Sequence, residues 1–123
     1  MRVTRSLAIF AALNGALAVA IGAFAAHGAG PQIKSLLTTG SHYQLVHAVL
    51  ALVCAAWPDG SRLATIAGWL AAAGGLVFCL ALSALALLSV TVMGAIAPIG
   101  GILMIAAWLL LIPAALRTQH GAV

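Results

Sequence analysis

The feature that most constrains this fold is a stretch of 54 residues, Leu63 to Leu116, that carries no charged side chain. As a single helix the stretch would reach about 80 Å, whereas the hydrocarbon core of a bilayer is about 30 Å thick. It therefore has to fold back on itself. Residues 89–98, SVTVMGAIAP, concentrate the serine, threonine, glycine and proline that favour turns and helix starts, so we place the reversal there.

The rest of the chain is almost as apolar. Of the 123 residues, 65% are hydrophobic and 5% are charged, whereas about a quarter of the residues of a soluble domain are charged. An uncharged run over residues 7–26 is long enough to cross a bilayer, and a third apolar run, residues 41–57, ends at the turn signal WPDGSR. The first run also resembles a secretory signal peptide, but the apolar character of everything that follows favours a membrane span.

These runs predict an all-α integral membrane protein with a single membrane domain, a compact bundle of four transmembrane helices. The predicted helices cover about residues 6–27, 41–57, 62–88 and 95–116, and residues 28–40 form a loop. In such a chain four arginines fall on one side of the membrane and one lysine on the other, namely Arg2, Arg5, Arg62 and Arg117 opposite Lys34. Because basic residues concentrate on the cytoplasmic side, both termini are predicted to be cytoplasmic and the loop to be non-cytoplasmic.

The charged residues also disfavour several classes of function. The basic residues are scattered at the ends of apolar runs, whereas a nucleic-acid-binding protein clusters them on one face, so we predict no nucleic-acid partner. Asp59 is the only acid in the chain, and the sequence contains no serine–histidine–acid set, phosphate-binding loop or pair of carboxylates. We therefore predict that the protein is not an enzyme.

The first predicted helix sorts into a small and a bulky face at about 100° per residue. Small residues at four-residue spacing let membrane helices approach closely, so the small face is predicted to pack on protein and the bulky face on lipid. The predicted helix-packing residues, which include two glycines of the fourth helix, are Asn14, Gly15, Ala18, Gly22, Gly100 and Gly101.

Polar residues are predicted to meet at the non-cytoplasmic end of the bundle, where the first helix ends and the second and fourth begin. The candidate ligand-binding residues of this polar layer are His27, Tyr43, Gln44, His47, Thr91 and Pro98. His47 would lie about 9 Å below the start of the second helix, where an ionisable side chain has to face the bundle and find partners. We expect it to be neutral, because desolvation disfavours the charged imidazolium, and to bond hydroxyls or carbonyls of the first and fourth helices. A purely structural role for this histidine stays open.

Three segments carry a resemblance to a known family. The first predicted helix ends in GAFAAHG (22–28), the second contains TGSHYQLVHAVLAL (39–52), and the fourth opens with APIGG (97–101), followed by Trp108. In this order they resemble the motifs of a family of small membrane proteins known as domain of unknown function 423, which is similar to eukaryotic transmembrane protein 256. The family's polar stretch in the third helix is reduced here to Ser83, and a threonine of the last motif is replaced by alanine. The resemblance implies a four-helix protein of the bacterial inner membrane and no established reaction.

We predict an accessory or binding protein whose polar layer holds a lipid, a small amphiphile or a partner helix. One alternative is a metal or haem site that uses His27 and His47, since neutral imidazole is a common ligand, although the spacing matches no standard metal motif. The other alternative is a small transporter or channel subunit, which a four-span chain could form only as an oligomer. The sequence names no cofactor. The expected partners are membrane lipids and either a second copy of the chain or another membrane protein.

Overall fold

The computed structural model describes residues 3–118, and this part of the chain is helical and contains no strand. Its elements are α1 (Arg5–Gly28), α2 (Pro31–Ala55), a short 3-10 turn (Pro58–Gly60), α3 (Arg62–Leu88) and α4 (Met93–Arg117). The predicted all-α class is confirmed. α1, α3 and α4 begin and end within two residues of the predicted bounds, and the chain reverses between α3 and α4 inside the predicted segment.

The predicted loop over residues 28–40 is wrong, because only two residues separate α1 from α2. α2 begins at Pro31, which suits the first position of a helix because its missing N–H would have no intrahelical partner there. Its first turns carry Leu36 and Leu37, and Leu37 is buried. Packing against the other helices, and not local composition, therefore starts this helix ten residues earlier than the sequence pattern indicates.

Three helices of the described part are long and apolar enough to cross a membrane, namely α1, α3 and α4. α2 has a comparable length of 25 residues. Polar side chains in the middle of α2, among them Gln44 and His47, lower its mean hydropathy, so α2 is not one of these three helices. The structure thus shows three candidate membrane spans and a fourth, more polar helix that packs among them.

α2 and α3 form the middle of the arrangement, because each packs along two neighbours. α2 lies against α1 and α3, α3 lies against α2 and α4, and α1 touches α3 over a smaller area. The start of α1 meets the end of α2, where the Thr4 N–H donates to the Ala55 carbonyl (N···O 2.9 Å), so these two helices run antiparallel. The larger core lies towards this end and is built mainly of alanine, which lets the helix backbones approach closely.

The glycines at the crossing of α3 and α4 show the closest approach of two helix backbones in the described part of the chain. A Cβ placed on Gly100 would lie 2.6 Å from the Phe78 backbone nitrogen and 2.7 Å from the Gly74 carbonyl oxygen. The reciprocal Cβ on Gly74 would lie 2.8 Å from the Gly100 carbonyl oxygen. Gly101, by contrast, has open space around it, because it is rotated by about 100° from Gly100 on the helix. The prediction that Gly101 is a packing residue is therefore wrong.

α2 crosses α3 at a second pair of glycines. A Cβ on Gly40 would lie 3.1 Å from the Cα of Cys79, and one on Gly75 would lie 3.2 Å from the Cα of Gln44. The adjacent glycines Gly74 and Gly75 of α3 therefore serve two different neighbours, α4 and α2. This arrangement brings α2 and α4 towards each other across α3.

The small face of α1 packs less tightly. Asn14 and Ala18 are buried against the protein. A Cβ on Gly15 would lie 3.9 Å from the nearest side chain of α2, and a Cβ on Gly22 would lie 3.4 Å from the nearest one. Both glycines are half-buried. The contact between α1 and α2 thus leaves more room than the crossings around α3.

Candidate functional site

A pair of buried amides links α1 to α2. Gln44 Nε2 donates to Asn14 Oδ1 (N···O 2.9 Å), and Asn14 Nδ2 donates to the backbone carbonyl of Phe10 (3.1 Å). Gln44 is 1% exposed and Asn14 is 3% exposed. The second polar atom of the glutamine amide, Gln44 Oε1, is buried and has no hydrogen-bond partner among residues 3–118. Because hydrogen bonds are strong in a dry interior, this pair fixes the position of α2 along α1.

His47 is engaged at both ring nitrogens. The indole Nε1 of Trp108 on α4 donates to His47 Nε2 (N···N 3.0 Å), and His47 Nδ1 lies 2.7 Å from the Tyr43 carbonyl oxygen. An indole N–H can only donate, so Nε2 is the unprotonated nitrogen and Nδ1 carries the proton that it donates to Tyr43. The ring is therefore a neutral imidazole, in agreement with the expectation from the sequence.

The partners of His47 differ from the predicted ones. The carbonyl that accepts from Nδ1 belongs to α2 itself, and the α4 partner is an indole and not a hydroxyl or a carbonyl. Among residues 3–118, no hydrogen bond joins the His47 side chain to α1. The α2 side chain that forms a hydrogen bond with α1 is Gln44, one helical turn before His47.

Aromatic rings surround His47 on the outer side of the helices. Tyr43 meets Phe78 of α3 edge to face (centroids 5.2 Å apart) and lies beside the His47 ring (6.4 Å), while Trp108 meets that ring edge-on (6.0 Å). Tyr43 is 51% exposed and Trp108 is 48% exposed, whereas His47 is 5% exposed. We call the surface formed by Tyr43, Phe78 and Trp108 the aromatic face. It joins α2, α3 and α4 on one side of the molecule.

These residues lie near the middle of the helices and not at the end that the sequence predicts to be non-cytoplasmic. Tyr43 comes twelve residues after Pro31 and twelve before Ala55, which is about 18 Å from either end of α2. The predicted depth of His47 assumed a helix that starts at residue 41. Because α2 begins at Pro31, His47 instead lies about 24 Å from the start of this helix. The predicted position of this layer is therefore wrong, because one helix boundary was placed ten residues too late.

The other predicted members of the polar layer lie elsewhere. α1 continues without a break to Gly28, so His27 stays on its last turn, thirteen residues or about 20 Å beyond Asn14. Thr91 lies in the turn before α4, and Pro98 lies on the second turn of α4. All three are exposed. Within residues 3–118 none of them takes part in the hydrogen bonds or ring contacts of the buried polar residues described above.

The separation of the two histidines contradicts a metal or haem site that uses both. Asn14 pairs with Gln44, and His47 lies one turn beyond Gln44 in the direction away from His27. His27 and His47 are therefore roughly 20 Å or more apart along the helix axes. In the described part of the chain, no three histidine, cysteine or acidic side chains are grouped so that they could hold a metal ion.

Three further residues complete the site, although none is among the predicted site residues. Trp108 supplies the donor to His47, Phe78 extends the aromatic face, and Gly75 lets α2 approach α3 beside His47. The sequence does contain a signal for Trp108. Tryptophan is enriched at membrane interfaces, and this one falls in the interior of a predicted span.

Comparison with known proteins places the sequence among membrane proteins of unknown function. The family described as "Protein of unknown function (DUF423)" matches residues 21–101, which include α2, α3 and the first turns of α4. No solved structure gives a significant match.

Similar bacterial proteins match nearly from end to end. The UPF0382 membrane protein YwdK of Bacillus subtilis is 36% identical over 116 residues, which cover 89% of this chain and 94% of that protein. UPF0382 membrane proteins of Staphylococcus epidermidis and Staphylococcus aureus are 38% and 39% identical over 115 residues, 89% of this chain and 93% of each relative. The similarity to eukaryotic transmembrane protein 256 stays a prediction.

Proposed function

Because the chain belongs to DUF423, a family of unknown function, and its bacterial relatives are membrane proteins, we propose that it is a four-span accessory protein that binds a partner through the aromatic face. The partner we infer is a transmembrane helix, either of another protein or of a second copy. The role is one of binding, without catalysis. The membrane is the bacterial inner membrane, with both termini in the cytoplasm.

The packing of α2 supports its role as the fourth span. With 25 residues it is about 37 Å long, enough to cross a bilayer, and it packs along α1 and α3, which are both apolar enough to span. Its most polar side chains, Gln44 and His47, are buried among the helices and do not face outward. Four spans and the arginine distribution together support cytoplasmic termini.

Single cysteines test the proposed topology. In a background that carries Cys54→Ala and Cys79→Ala, we expect Ser35→Cys to react with a membrane-impermeant thiol reagent from the non-cytoplasmic side. Ser61→Cys should react only after the membrane has been opened. The cysteine-free background is the control and should stay unlabelled. Labelling of both positions from the same side would contradict a four-span chain.

The observation that carries the proposed function is the position of Tyr43. It lies at the midpoint of α2 and is half-exposed, and its hydroxyl makes no hydrogen bond to any residue between 3 and 118. Tyrosine in membrane proteins is enriched at the interfaces, where its hydroxyl meets water. In the hydrocarbon region a polar group without a partner is costly. The hydroxyl therefore calls for a polar group from outside the described part of the chain.

The surroundings of Tyr43 fit an interface with a protein. Tyrosine, tryptophan and phenylalanine are enriched in protein–protein contacts, and the aromatic face presents one of each. The hydrogen bond from Trp108 to the buried His47 holds the indole in one orientation, so little conformational freedom is lost on binding. A helix with a hydroxyl or amide side chain could satisfy Tyr43 and cover the exposed rings.

Photo-crosslinking in native membranes tests this function. With p-benzoylphenylalanine in place of Tyr43, we expect illumination to give a discrete protein adduct. The same probe in place of Leu13 of α1 is the matched control. Leu13 is next to Asn14 and therefore at the same depth as Gln44. It is 65% exposed and lies on the other side of α2 from the aromatic face. The control should give no discrete adduct. Lipid adducts alone at Tyr43 would contradict a protein partner and would point to an amphiphile.

A further inference from the structure

A cavity of about 480 Å³ lies at the end of the molecule where α3 begins and α4 ends. Its walls are the Pro58–Gly60 turn, the first residues of α3 and the last residues of α4. In the proposed topology this is the cytoplasmic end. The lining shares no residue with the aromatic face, so the proposed partner does not account for the cavity.

Two arginines from different helices line this cavity. Arg62 is the first residue of α3 and Arg117 is the last residue of α4. The planar guanidinium group presents a fork of N–H donors that matches the oxygens of a phosphate. The partial positive charge at the beginning of α3 is offset by the partial negative charge at the end of α4, which lines the same cavity. The positive charge of the cavity therefore comes from the two arginine side chains.

The lining also carries an acid, which limits the charge of a suitable ligand. Asp59 lies in the Pro58–Gly60 turn and also lines the cavity. Two arginines and one carboxylate leave a formal charge of +1 in the lining, as counted from the residues present. That charge matches a phosphodiester, which carries a single negative charge, better than a phosphate monoester with nearly two.

The walls of the cavity are held together and are partly apolar. Trp57 Nε1 donates to Thr118 Oγ1 (3.1 Å), which in turn donates to the Ala114 carbonyl (2.8 Å), so the turn is tied to the end of α4. Pro58 and Leu63 contribute apolar surface to the lining. Tryptophan is enriched at membrane interfaces, and Trp57, Arg62 and Arg117 all lie at this end of the helices, which supports a position of the cavity at the level of the lipid headgroups. Apolar walls at that level suit a lipid better than a free ion.

We propose that this cavity binds the phosphodiester headgroup of an anionic phospholipid. Arg62 and Arg117 contact the phosphate oxygens, and Pro58 and Leu63 lie along the first carbons of the acyl chains. Basic pockets between membrane helices on the cytoplasmic side are suited to such headgroups. The ligand class follows from the charge of the lining and from the level of the cavity.

Native mass spectrometry of the full chain in detergent tests the proposal with phosphatidylglycerol as the probe. We expect the wild type to retain phosphatidylglycerol more tightly than zwitterionic phosphatidylcholine. Arg62→Gln and Arg117→Gln should each weaken phosphatidylglycerol binding about fivefold, which corresponds to about 1 kcal/mol per basic residue near the lipid surface. An excess of inorganic phosphate should not displace the lipid.

Arg5→Gln is the matched control, because it removes the same charge at the same end of the molecule but lies outside the cavity. It should leave phosphatidylglycerol binding unchanged. Melting temperatures without added lipid establish that the variants are folded. The proposal is overturned if both cavity variants bind like the wild type, or if Arg5→Gln weakens binding equally. It is also overturned if phosphatidylcholine binds as tightly, or if inorganic phosphate competes.

Discussion

Gly100→Ala is expected to destabilise the protein by about 1–3 kcal/mol, because overpacking of a close contact typically costs this much. The added methyl group would lie 2.6 Å from the Phe78 backbone nitrogen and 2.7 Å from the Gly74 carbonyl oxygen. Backbone atoms cannot turn aside as a flexible side chain can, so α3 and α4 would have to move apart. Loss of helicity during titration with SDS in mixed detergent micelles would measure the effect.

The next residue along the chain provides the control. Gly101 lies in the same helix and has no atom within 4 Å of an added Cβ. Replacing glycine by alanine in a helix with free space stabilises it by about 0.5–1 kcal/mol. Gly101→Ala should therefore be neutral or slightly stabilising. If the two variants unfolded at the same SDS fraction, the close crossing of α3 and α4 would be refuted.

Asn14→Leu is expected to cost about 1–3 kcal/mol, the usual effect of leaving a buried polar group without a hydrogen bond. Gln44 Nε2 would lose its acceptor, and Gln44 Oε1 already has no partner among residues 3–118. The whole glutamine amide would then be buried without a bond. Gln44→Met should cost less, because Asn14 keeps its bond to the Phe10 carbonyl. The same SDS titration measures both variants.

The double variant tests whether the two amides act as a pair. Asn14→Leu combined with Gln44→Met removes both polar groups, and replacement of both partners by apolar groups of similar size is often nearly neutral. We expect the double variant to be more stable than Asn14→Leu alone. Additive losses in the double-mutant cycle would show that the bond between Gln44 and Asn14 contributes nothing to the pairing of α1 and α2.

The positions of α1, α3 and α4 could be predicted because long uncharged runs end at turn residues or arginines. The start of α2 could not be predicted in this way. Residues 31–40, PQIKSLLTTG, have the composition of a loop, but Leu37 is buried and Gly40 packs against the backbone of Cys79. These contacts depend on α3, which lies far along the chain. Periodicity within one segment carries no information about them.

Only part of the candidate site was predictable: Tyr43, Gln44 and His47 belong to it, whereas Trp108 and Phe78 were not among the predicted residues. The helical faces indicate that Asn14, Gln44 and His47 point inward, and the structure buries all three. The contacts among these residues depend on how far α1, α2 and α4 are shifted along one another. That shift is set where the helices cross at glycines. The hydrogen bond from Trp108 to His47 requires α2 and α4 to approach across α3, which no pattern in a single helix indicates.

Because each helix packs mainly on its neighbour in the chain, the molecule can assemble in the order in which it is synthesised. α1 and α2 form a hairpin, α3 covers α2 at Gly75, and α4 docks last at Gly74. Contacts between segments close in sequence form quickly and leave little apolar surface waiting for a distant partner. The hydrogen bond between Trp108 and His47 joins residues 61 positions apart. It forms only when the last helix has arrived, and it thereby marks the completed insertion of the chain.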